Sequence, residues 1–81
     1  MTAMIGEIEK AIRQGLECER VEVDGDGHHF NALVVSRAFE GRSRLERHRL
    51  VYAALGDRMR EEVHALSIRT LTPQEAAAGQ S

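Results

Sequence analysis

The side chains best suited to hold a metal or move a proton are His28, His29, His48, His64 and Cys18. Imidazole is a common neutral metal ligand, and a thiolate is a strong one. Cys18 has no CxxC partner and no adjacent base, so it reads as a small, half-buried apolar residue. His48 sits among apolar neighbours on a helix, which suits a packed ring with hydrogen-bonded nitrogens. His28 and His29 stand at the mouth of a hairpin. Solvated loop polarity is their simpler role and ligation the alternative, since neighbours on a strand point opposite ways. His64 opens a strand just after an acidic turn. If the hairpin mouth lies at that same end, His64 and a loop histidine could face one another. Two imidazoles do not close a structural zinc site, which takes four ligands. They could complete half of a site shared with another protein.

Other reactive signatures are missing. The chain has no Gly-x-Ser-x-Gly, no phosphate loop and no HExxH. Ser36, Ser43 and Ser67 suit strand and cap roles. These absences argue against an enzyme.

The positioning elements follow from periodicity and punctuation. Met4, Ile5, Ile8, Ala11, Ile12 and Leu16 recur at helical spacing, and Gly15 is a plausible stop. Arg20 to Asp24 alternates as a strand. Asp24-Gly25-Asp26-Gly27 supplies the positive-φ residues of a tight reversal, without the ligand pattern of a calcium loop. His28 to Ser36 is the second strand, antiparallel to the first. Phe30, Ala32, Val34 and Ser36 share one face; Asn31, Leu33, Val35 and Arg37 share the other.

Ala38 to Arg42 turns the chain. Ser43 and Glu46 form a capping box for a helix. Leu45, His48, Tyr52 and Leu55 are expected along its core side, with Val51 and Ala54 beside them, and Gly56 as an αL stop. A short helix over Asp57–Glu62, anchored by Met59, precedes a third strand, Val63–Leu71. The helical crossover makes that strand parallel to the second. Thr72 caps a last helix with Pro73 at its first position. The order is α-β-β-α-α-β-α, an α+β sandwich.

With 81 residues, this is one small domain, 1–81, with 1–3 and 76–81 expected to fray. Such a chain buries only about 60% of its unfolded surface, leaving little room for a deep catalytic pocket. The net charge of −2 disfavours nonspecific nucleic-acid binding, although a local basic patch remains possible. One cysteine excludes an internal disulfide. No apolar run follows a basic N-terminal segment, and no 18-residue apolar stretch exists, so a cytoplasmic protein without a membrane span is expected.

Four segments together resemble the BolA family: Phe39-Glu40-Gly41-Arg42-Ser43, Arg47-His48-Arg49-Leu50-Val51-Tyr52, Val63-His64-Ala65-Leu66-Ser67-Ile68 and Thr70-Leu71-Thr72-Pro73. The Phe30–Ser36 strand looks like that family too, and the similarity runs from about Val21 to Glu75. It implies a class-II KH-like αββααβ(α) fold, with a three-stranded mixed sheet covered by helices. It also implies a non-enzymatic partner of a monothiol glutaredoxin, sharing a glutathione-ligated [2Fe-2S] cluster in iron–sulfur trafficking or iron regulation. Alone, such a chain is expected to be a monomer or weak homodimer.

The family's strand histidine falls on His64. Its second ligand comes from the loop between the first two strands, here short and holding His28 and His29, as in the short-loop branch. A tryptophan often found after the Thr-Pro motif is replaced in the Ala76-Ala77 region, which should weaken packing of the final helix. The resemblance also implies an alternative role in transcriptional or stress regulation, with Arg42, Arg44, Arg47 and Arg49 on DNA or RNA phosphates. The Gly-x-x-Gly clamp of KH domains is absent.

Overall fold

Strong local signals set the elements. A computed structural model describes residues 2–26, 28–56 and 65–79. Helix α1 is Thr2–Gly15, strand β1 is Arg20–Gly25, and strand β2 is Phe30–Val35. A 3-10 turn, Arg37–Phe39, leads to helix α2, Arg44–Leu55. Strand β3 is Leu66–Leu71, and helix α3 is Pro73–Ala77. This is the expected α+β architecture, αββαβα in the described residues. The short helix expected over Asp57–Glu62, and the strand start at Val63 and His64, lie outside the described residues.

The sheet runs β1-β2-β3. β1 and β2 are antiparallel, with Asp24 opposite Asn31 and Gly25 opposite Phe30. β2 and β3 are parallel, with Phe30 opposite Leu66 and Val35 opposite Leu71. The helical connection between β2 and β3 makes the parallel pairing possible, because a tight turn cannot.

The alternation in β2 sends Phe30, Ala32 and Val34 inward. Ile8 and Ile12 of α1 meet them, together with Val51 and Leu55 of α2 and Phe39. Ile8, Ile12, Val34, Phe39 and Val51 are fully buried. Each such side chain contributes about 1.5–3 kcal/mol of transfer free energy. The opposite face carries the exposed Glu22, Asn31, Ser67 and Arg69.

Three sequence expectations change. First, β2 starts at Phe30, not His28; both histidines precede the strand. Second, Leu45 and Tyr52 do not face the core. They are 60% and 40% exposed, while Val51 and Leu55 carry the contact. Apolar residues occur around much of α2, so periodicity alone could not select its buried side. Third, Gly15 does end α1, as expected, but without the positive φ of a left-handed stop, and it is also a point of contact between helices. A Cβ there would lie 2.6 Å from Ala54 Cα. Gly56 does take positive φ, 63°, but with ψ −147° it is outside αL, in a region essentially reserved for glycine.

The caps match the sequence reading. Ser43 Oγ accepts from the Glu46 amide at 3.2 Å, and Glu46 accepts from the Ser43 amide at 2.9 Å. Thr72 and Glu75 repeat the arrangement at α3, at 3.1 and 2.9 Å. Each box satisfies orphan amides at a helix start. Ser36, fully buried, donates to Glu17 O at 2.6 Å and accepts from the Ala38 amide at 3.0 Å. It thereby joins the α1–β1 connection to the turn after β2.

Candidate functional site

The antiparallel hairpin and the parallel β2–β3 pair share one end of the sheet. The turn after β1 closes onto the start of β2, and Phe30 there lies opposite Leu66, the first residue of β3. The described start of the third strand and the turn bearing His28 and His29 are therefore neighbours. His64, two positions before Leu66 in the sequence, lies outside the described residues.

The turn has a definite internal structure. Asp26 Oδ1 accepts from the His28 amide and from the His29 amide, each at 2.8 Å. The Asp26 amide donates back to His29 O at 3.1 Å. These two amides hold the Asp26 carboxyl below its ordinary pKa, the His29 amide most strongly, because they stabilise the charged form. Behind the turn, Asn31 Nδ2 donates to Asp24 Oδ1 at 3.0 Å across the hairpin.

Gly25 is required by space, not by φ. A Cβ at that position would lie 2.6 Å from both His29 O and Phe30 Cδ1. The Asp-Gly motif therefore brings the chain close to itself, rather than supplying a left-handed residue at Gly25. The role of Asp26 was the feature missed in the sequence. Its signal is an Asp followed closely by two free amides, the pattern of an Asx turn.

His28 and His29 are both exposed. Among the described residues neither ring forms a hydrogen bond. No group of three or more His, Cys, Asp or Glu among the described residues could hold a metal ion. The described donors can supply only part of a ligand set.

The other candidates are elsewhere. Cys18 precedes β1 at the opposite end of the sheet, where Arg20 pairs with Val35. It is half-buried, and its thiol donates to Leu16 O at 3.3 Å. Burial raises its pKa, with Arg13 opposing weakly, so the thiol stays protonated at neutral pH. His48 is half-buried beside an open groove lined also by Arg44 and β3, instead of being packed in the core.

Arg42, Arg44 and Arg49 are exposed. Arg47 is not: its side chain is only 15% accessible and is ion-paired with Glu75 at 2.9 Å. It also donates to Arg42 O at 3.0 Å and lies 6.0 Å from the centroid of Phe39. Its charge is committed within the molecule, so the phosphate-binding alternative retains three of its four arginines. Ser36, Ser43 and Thr72 place their hydroxyls on backbone groups. No described helix is long and apolar enough to cross a membrane.

Comparison with known proteins identifies the family and the fold. The family model described as BolA-like protein matches residues 9–75. BolA-like protein 1 of Bos taurus is 42% identical over 88 residues, covering 91% of this chain and 65% of that relative. The chain thus spans just under two thirds of the length of that relative. Acid stress protein IbaG of Escherichia coli K12 is 36% identical over 72 residues, covering 88% of this chain and 86% of that protein. The structure of a bolA protein homologue from Coxiella burnetii superimposes with a TM-score of 0.76 at 51% identity, covering 86% of this chain and 91% of that one. Sequence and fold together show that the chain belongs to the BolA family.

Proposed function

We propose that this BolA-like protein is a non-enzymatic partner of a monothiol glutaredoxin in iron–sulfur trafficking or iron regulation, acting in the cytoplasm. The pair would share a glutathione-ligated [2Fe-2S] cluster. His64 with either His28 or His29 would supply this chain's ligands. The reading is supported by family membership and, above all, by the parallel register that sets Phe30 opposite Leu66. That register brings the exposed histidine turn to the described start of the strand that follows His64.

The donor chemistry fits a shared cluster. Two solvent-facing imidazoles without a hydrogen bond among the described residues suit ligation, and the described residues offer too few donors for a closed site. Neutral imidazole in place of thiolate lowers the negative charge of a two-iron centre and raises its potential. The protein's own contribution is to display the rings at one end of a rigid sheet. Among the described residues the hydroxyls of Ser36 and Ser43 are engaged with backbone groups.

Titrating the protein into cluster-loaded monothiol glutaredoxin with glutathione tests the proposal. The visible absorption and circular dichroism of the cluster should change. His64→Ala should diminish that change strongly, and one of His28→Ala and His29→Ala should do so as well. A silent wild type, or an undiminished response from His64→Ala, would refute the ligand assignment.

A further inference from the structure

We propose that Asp26 is a positioning residue: it holds the backbone of His28 and His29 and so presents the loop histidine that ligates to the shared cluster. This inference rests on the cluster-sharing role proposed above and adds to it a residue that is not itself a ligand. A single carboxylate oxygen receives two consecutive backbone amides, both at 2.8 Å, and both belong to the candidate ligands. The return bond from the Asp26 amide to His29 O, at 3.1 Å, closes the turn from the other side. Three bonds therefore join Asp26 to the backbone of the histidine pair.

The consequence is separation of duties. Asp26 is bonded to the main chain of His28 and His29, so it holds the backbone beneath the imidazoles without engaging the rings themselves. A ligand on a held backbone loses less conformational freedom on binding than one on a free loop. The turn is also pressed against the strand that follows it. Gly25 admits His29 O and Phe30 Cδ1 to where a Cβ would stand, and the Asp24–Asn31 bond braces the next pair of residues. Hydrogen-bonded supports behind metal ligands typically matter by one to two orders of magnitude in affinity.

The test compares the wild type with Asp26→Ala and Asp26→Asn. The amide retains an oxygen acceptor and loses the charge; Ala loses both. Asp26 is exposed, so both variants should melt near the wild-type temperature. In Asp26→Ala, amide exchange at His28 and His29 should quicken. In the titration against cluster-loaded glutaredoxin, half-saturation should move about ten- to hundredfold higher, with a changed circular-dichroism signature. Asp26→Asn should restore most of both. A responsive wild type matched by Asp26→Ala overturns the positioning role and leaves the cluster-sharing role standing. Unchanged amide exchange in Asp26→Ala overturns the clamp itself. A wild type that leaves the cluster spectrum unaltered removes the cluster-sharing role and this inference together.

Discussion

Arg47 and Glu75, 28 residues apart, meet in a two-pronged ion pair. Nη1 lies 2.9 Å from Oε1 and Nη2 lies 3.4 Å from Oε2. The same Glu75 caps the start of α3 by accepting from the Thr72 amide. One carboxylate thus serves a local cap and a long-range link from α2 to α3. Arg47→Ala also loses the contact over Phe39 and the bond to Arg42 O. It should cost about 2 kcal/mol in urea denaturation, in keeping with bonds to charged groups that are partly shielded. Arg47→Lys should recover only part, because an ammonium cannot reproduce the fork.

The same pair sets a pH dependence. The Arg47 guanidinium, and then the Thr72 amide, hold the Glu75 carboxyl below its ordinary pKa in the folded chain. Between the folded and unfolded values the unfolded chain binds more protons, so stability rises with pH through that window. The contribution is fully present above the unfolded value and is lost as pH falls through the folded one. The stability difference between wild type and Glu75→Gln should therefore stay level near neutrality and shrink below about pH 4. A difference that grew with acid would contradict this assignment.

Gly15→Ala should destabilise the protein although alanine is the better helix former. The new methyl carbon would sit 2.7 Å from Ala54 Cβ and 2.6 Å from Ala54 Cα. Separating α1 from α2 should cost about 1–3 kcal/mol, the range for overpacking a close contact. Gly6→Ala on the same helix meets nothing within 4 Å and should be neutral or stabilising. Thermal melts of the two variants should move in opposite directions, or Gly6→Ala should not move at all.

Ser36→Ala leaves Glu17 O and the Ala38 amide without their partner in a fully buried position. A loss of about 1–3 kcal/mol is expected, the desolvation cost of stranded polar groups. Far-UV circular dichroism at low temperature should stay unchanged, since neither strand depends on the hydroxyl.

Leu45→Ala should change stability by no more than about 0.5 kcal/mol, as for an ordinary surface position. Val51→Ala, one face away on α2 and fully buried, should cost about 1–3 kcal/mol. Equal losses in the two variants would contradict the orientation of α2.

Much of this architecture was legible in the residues because its signals are local. The Ser43–Glu46 and Thr72–Glu75 boxes announce two helix starts, and Pro73 fits the first helical position. The alternation from Phe30 to Val34 identifies the inner face of β2, and the spacing of Ile8, Ala11 and Ile12 identifies that of α1. The histidine turn was visible as a composition. Its clamp is not legible there, because an Asp in an Asp-Gly reversal has the same composition whether or not its carboxylate gathers two amides on one oxygen.

The amino-acid order alone determined the element types, their caps and the pairing of the first two strands, since each depends on neighbours a few positions away. Only the tertiary structure decided which side of α2 is buried, why Gly15 has no side chain, and that Arg47 belongs to Glu75 and not to solvent. Those outcomes depend on elements brought together across long stretches of chain. Periodicity carries no information about which of two apolar faces finds a partner.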